Sequence, residues 1–224
     1  MSVAADVNNP LIVSAFRGAL TRAGAESGIR ALHENAARLA RDARLLADAR
    51  RYPSAAALAA MALDEIGRIP LLVALHAVDG NSRLAELWRR FREHRHDFPW
   101  AIFQTGAPQR LTSDINTALA FMRSIGNIVE CLGPGNWAEP ARLIQPGLAE
   151  ELVATAELIC LNPMSTRGIT VWLETSRSLP SDCGPANALK QLRAALEAAG
   201  LNAQADALAA FCGKAPASGK SRRR

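Results

Sequence analysis

Long apolar runs are missing from this 224-residue chain. Its two best stretches, residues 55–63 and 69–75, are cut off by Asp64-Glu65 and by His76, far short of the roughly 20 residues that span a bilayer. No membrane role is expected. Cysteine is scarce as well: Cys131, Cys160, Cys183 and Cys212 are widely spaced and form no Cys-x-x-Cys pair, which argues against a thiolate metal site. Buried free thiols in a reducing compartment are the favoured reading. Gly133-Pro134-Gly135 followed by Asn136-Trp137 does not match a phosphate loop, and no serine or cysteine sits in a nucleophile motif. Neither a metal nor a nucleotide cofactor is expected. The N-terminal text, with Asp6 and no basic residue before a short apolar run, does not resemble a secretory signal, so a cytoplasmic protein is expected.

Charge of one sign is also missing from the body of the chain. The formal charge is +5, but Lys214, Lys220, Arg222, Arg223 and Arg224 carry that whole surplus, with no acid among residues 213–224. The high pI therefore reports a basic tail, read as disordered, and not a basic fold. One basic patch remains inside folded-looking text, where Arg83, Arg89, Arg90, Arg92 and Arg95 face Glu86, Glu93 and Asp97 in sequence.

Alanine-rich helical text dominates what is present. Leu32, Ala36, Leu39, Ala43 and Leu46 recur at three- and four-residue spacing and predict an amphipathic helix over about 28–50. Pro53 opens a second helix whose Ala55–Met61 text is apolar nearly all round, as suits a central helix, and Pro70 should kink or end it. A third helix is predicted over about 82–97, with Leu84, Leu87, Trp88, Phe91 and Phe98 inward. A fourth, capped by Thr112-Ser113-Asp114, buries Ile115, Leu119, Met122 and Ile125. Residues 146–161 predict another helix with Leu148, Leu152, Ala156 and Ile159 inward. Residues 164–184 are the least helical, with Thr170-Val171-Trp172-Leu173 as extended text; helices over 185–200 and 203–212 follow. The expected fold is all-α, a helical bundle with additional C-terminal helices.

Several of these residues resemble the abortive infection protein V (AbiV) family, a branch of the HEPN superfamily. The likeness runs through His33-Glu34-Asn35-Ala36, Leu39, Asp42-Ala43, Leu46, Tyr52, Ala55, Leu58 and Ala62 to Asp64-Glu65-Ile66-Gly67-Arg68, where the family usually has Glu-Glu-Ile-Gly-Lys. It continues at Phe91-Arg92-Glu93-His94, with weaker echoes at Arg123–Glu130, Trp137, Pro140 and Ala149–Ile159. The sequence departs from the family at Asp97, where a lysine is expected, and at Asn127-Ile128-Val129-Glu130, where the family is more aromatic. The resemblance divides the chain into a 1–27 extension with a short helix, a 28–161 HEPN-like bundle, a 162–212 helical elaboration and the 213–224 tail. It implies a phage-defence role directed at RNA or the translation machinery, a homodimer, and a phage-derived protein as trigger. Many HEPN relatives are metal-independent RNases that use an Arg and a His four to six residues apart across a dimer interface.

Metal-free RNA cleavage needs a base for the 2′-hydroxyl proton, an acid for the leaving 5′-oxygen and a fixed cation on the phosphate. Histidine suits the first two tasks and arginine the third. Arg89 and His94, or Arg90 and His96, fit the superfamily spacing, whereas Arg90 and His94 are i,i+4 and share one helix edge. Arg90 with His94 is the preferred catalytic pair, and Arg89 is second. His96 is either a surface residue or a proton-transfer partner in a dimer. Arg95 falls on the buried face and needs an acid, for which Asp64 and Glu65 are the candidates. Asp64, Glu65, Arg68, Arg92, Arg95 and His96 are therefore expected to support or line the site. His33 is placed at the start of the first helix, and His76 has no partner in sequence. The competing reading is a non-catalytic helical interaction protein that binds a protein or RNA partner.

Overall fold

Thr21 starts the first long helix, its hydroxyl oxygen accepting from the Gly24 backbone N–H at 3.1 Å. The computed structural model describes residues 16–78, 80–93, 129–161, 165–180 and 183–212. Helix α1 spans Arg22–Asp48, beginning six residues earlier than its apolar spacing suggested and absorbing the end of the expected 1–27 extension. At its far end Arg50 N–H bonds the Ala47 carbonyl and Arg51 N–H the Leu46 carbonyl, a Schellman closure with Arg50 at φ +58 in the place glycine usually takes. That conformation costs a non-glycine residue roughly 1–2 kcal/mol. The three-residue turn folds α2, Tyr52–Gly67, back onto α1.

The α1–α2 pairing is the most extensive among the described elements, and alanine makes it so. Ala36, Ala40 and Ala43 of α1 and Ala55, Ala56, Ala59 and Ala62 of α2 are fully buried, allowing the backbones to approach closely. Pro70 ends the run as expected: the helix breaks at Arg68, and α3 spans Ile69–Ala77 with the proline in its first turn. Gly28 of α1 lies so near α3 that a Cβ there would sit 2.9 Å from Leu72 Cδ1. Helix α4, Asn81–Arg92, packs on α3 through Leu84, Leu87 and Trp88.

Two short antiparallel strands follow, β1 (Glu130–Gly133) and β2 (Asn136–Ala138), turning at Pro134 and Gly135. Gly135 has φ +74, which a side chain would disfavour. A short α5, Pro140–Leu143, leads into α6, Pro146–Cys160, which packs on both α1 and α2. Arg44 of α1 ties α6 down, bonding Glu150 at 2.8 Å and Glu157 at 2.7 Å. Its guanidinium is held more firmly protonated by Glu157 and then Glu150.

The extended text expected at residues 170–173 is corrected: Thr166–Ser178 form helix α7. Ser165 caps it by accepting from Gly168 N–H at 3.1 Å, and Ile169, Trp172 and Leu173 bury one helical face. Helices α8 (Pro185–Ala198) and α9 (Asn202–Cys212) close the described chain. Between them Gly200, at φ +72, makes the second Schellman turn. Among the described residues the fold is all-α apart from the small hairpin. No helix among the described residues is long and apolar enough to cross a membrane. The expected helix over 112–126, Phe98 and the basic tail lie outside the described residues.

The expectation of buried thiols holds for Cys160 and fails for Cys131, which is exposed on β1, and for the half-buried Cys183. Burial pushes the Cys160 thiol from its ordinary value near 9 up to about 12. Between these values the unfolded thiol loses its proton while the folded one keeps it, so folding stability falls as pH rises. The expected slope from this one group is about 1.4 kcal/mol per pH unit. Urea unfolding of the parent and Cys160→Val at stepped alkaline pH measures it; parallel curves would remove the assignment.

Candidate functional site

Helix α4 carries the basic patch and divides it by face. Leu84, Leu87 and Trp88 point into the bundle, each no more than 9% exposed. Trp88 anchors the helix: its indole N–H donates to the Gly18 carbonyl at 2.9 Å, and Phe16 and Phe91 meet its ring edge-on at 5.9 and 5.6 Å. The candidate arginines follow this anchor directly in sequence.

Arg89 points outward and is fully engaged. Glu86 takes it with both carboxylate oxygens, at 2.8 and 2.6 Å, and Glu93 takes the remaining side at 2.6 Å. The Glu86 contact first and Glu93 second raise the pKa of this guanidinium. A phosphate approaching Arg89 would have to displace two carboxylates. Arg90, one residue on, lies on the half-buried edge of the helix. Arg92 turns back over the bundle, donating to the Phe16 carbonyl at 3.0 Å and lying 5.5 Å from the Trp88 ring centre. His94, Arg95 and His96 follow α4 in sequence and lie outside the described residues.

The acidic text at the end of α2 meets α4 through Arg68. Its guanidinium pairs with Glu65 and lies 4.7 Å from the centre of the Phe91 ring. The acid expected to serve Arg95 is thus engaged by Arg68. The Arg68 Nε is buried without a hydrogen-bond partner, and Asp64 is 4% exposed at the same helix end. Glu65, Arg68 and Phe91 therefore form the joint where the α2–α3 break meets α4, with buried Asp64 at the same end of α2.

The family model described as AbiV, of the HEPN group, matches residues 25–161. The chain belongs to the AbiV family. Its matched region takes in α1 through α6 and includes both the Arg68 joint and the arginines of α4. Membership implies an abortive-infection, defence-type function. No curated protein and no solved structure matches the chain.

Sequence reasoning missed two features that only folding brings together. The Arg68–Phe91 stack joins residues 23 positions apart and has no local signature. His76, without a partner in sequence, is 6% exposed, with its Nδ1 3.0 Å from the Leu20 carbonyl. His33, expected to open the first helix, lies half-buried well inside α1. Among the described residues no group of three or more His, Cys, Asp or Glu could hold a metal ion.

Proposed function

We propose that this AbiV-family protein acts in phage defence by cleaving RNA without a metal, with Arg90 and His94 as the catalytic pair. The observation that carries this reading is that Glu86 and Glu93 occupy the donors of Arg89, which shifts the phosphate-binding role to Arg90 on the half-buried edge of α4, four residues before His94. Arg89, the second candidate, is reassigned to holding the exposed face of α4.

In the reaction, a histidine takes the 2′-hydroxyl proton and the 2′-oxygen attacks the adjacent phosphorus. The bond to the 5′-oxygen breaks as that oxygen receives a proton, leaving a 2′,3′-cyclic phosphate and a 5′-hydroxyl. Arg90 stabilises the charge that builds on the phosphoryl oxygens. One His94 per chain cannot be base and acid at once, so a homodimer that presents two copies completes the proton balance. A phage-derived protein is the trigger this reading expects.

The test is RNA integrity and growth after induced expression, with and without infection, for the parent and for Arg90→Ala/His94→Ala. Cleaved RNA that disappears in a folded double variant supports the assignment. Intact RNA with undiminished protection in both forms would replace it with the interaction-protein reading, in which α4 binds a protein or RNA partner and performs no chemistry.

A further inference from the structure

Away from α4, a solvent-open cavity of about 550 Å³ lies where the start of α1, the end of α3 and the end of α7 converge. Thr21, Arg22, His76, Glu174, Arg177 and Ser178 line it. Its size is that of a small-molecule site. Several polar groups in it are unsatisfied in complementary ways.

His76 is the first. It is 94% buried at the end of α3, and the Leu20 carbonyl can only accept, so Nδ1 carries the proton in that contact. The neutral ring then presents Nε2 as an acceptor, and Nε2 has no partner among the described residues. Arg177 is the second: its exposed guanidinium makes no hydrogen bond or ion pair with a described residue. Arg22 differs, since Glu26 at 3.0 Å, Glu174 at 2.7 Å and Thr170 at 3.5 Å occupy its donors. Glu26 and Glu174 both bond Arg22, and Arg177 is the cation in the lining that bonds no described carboxylate. The third group is the first turn of α1, where Thr21 satisfies the N–H groups of Gly24 and Ala25 and the backbone N–H of Arg22, a lining residue, has no partner among the described residues. Helix N-termini of this kind favour negative charge.

We propose that this cavity is a second ligand site, separate from α4, for a small phosphate monoester with a hydroxyl-bearing body. The phosphate is held by Arg177 and the backbone N–H of Arg22, and a ligand hydroxyl donates to His76 Nε2. Arg22 cannot take the phosphate without losing its carboxylates, so it shapes the wall. The packing of α1, α3 and α7 around the cavity means that an occupant would brace three helices at once.

Calorimetric titration of the full-length protein with ribose 5-phosphate, and separately with inorganic phosphate, tests the site. Saturable binding of ribose 5-phosphate is expected, weakened at least about tenfold by Arg177→Ala, the loss typical of a charge-assisted hydrogen bond. His76→Asn keeps an N–H toward the Leu20 carbonyl but deletes Nε2, so it should weaken ribose 5-phosphate about tenfold and leave phosphate binding unchanged. Arg177 has no described partner to lose, which keeps the test valid should His76→Asn fold poorly. Absence of saturable heat with ribose 5-phosphate overturns the proposal, as does affinity insensitive to either substitution in a folded variant. Neither outcome bears on α4, whose residues the titration does not involve.

Discussion

Arg90→Ala is expected to lower RNA cleavage by roughly 10²–10³-fold, the usual loss when one preorganised donor to a developing oxyanion is removed. Arg89→Ala should change cleavage by less than about tenfold, because its donors already serve Glu86 and Glu93 and its loss costs only surface ion pairing. The contrast matters more than either value, since the two residues are adjacent and equally charged. His94→Ala should remove cleavage by about 10²–10⁴-fold, the scale of a general acid–base group, and adding Arg90→Ala to it should cost less than the product of the two. Gel analysis of RNA from cells expressing the four variants, with circular dichroism to establish folding, measures all of these. Equal losses for Arg89→Ala and Arg90→Ala would sink the assignment, because a diffuse positive field would then be sufficient.

Trp88→Ala should be among the most damaging single substitutions, destabilising the fold by about 3–5 kcal/mol. Whole domains are held by only about 5–15 kcal/mol, so α4 is expected to detach or the protein to unfold. Three losses combine: the ring packing on Phe16 and Phe91, the Arg92 stack, and the indole N–H that satisfies the Gly18 carbonyl. Trp88→Phe separates them, keeping an apolar ring and losing the hydrogen bond, for about 1 kcal/mol. Urea titrations followed by circular dichroism distinguish the two variants. A Trp88→Ala protein with parental stability would mean that the segment around Phe16 and Gly18 contributes nothing to holding α4.

Much of the bundle was legible in the sequence because its helices carry clean periodicity. Leu32, Ala36, Leu39 and Ala43 are all buried, and Pro70 breaks the chain where its missing N–H requires. Helix α7 was misread for a physical reason. Its Thr-Val-Trp text favours strands locally, yet Ile169, Trp172 and Leu173 stand at helical spacing, and burial of that face against α3 and α8 overrides propensity. The hairpin was missed because strands of four and three residues carry too little pattern to be seen. In the candidate site, the pairing of Arg89 was readable from Glu86 and Glu93 at helical spacing. The Arg68–Phe91 stack and the His76 cavity were not, since both depend on which helices meet.

The alanine seam of α1 and α2 bears on how the sequence can drift. Ala40 and Ala59 are fully buried, so each added carbon must displace packed neighbours, and such overpacking costs about 1–3 kcal/mol. Shrinking to glycine opens a gap and loosens the helix, at roughly 1 kcal/mol from propensity alone. A saturation library at these two positions should therefore retain alanine, with serine the nearest survivor, while Leu45, exposed on the same helix, accepts nearly anything. The α1–α2 pairing can be neither enlarged nor pared down by single steps, which leaves the outward faces of its helices as the ground on which relatives of this chain can diverge.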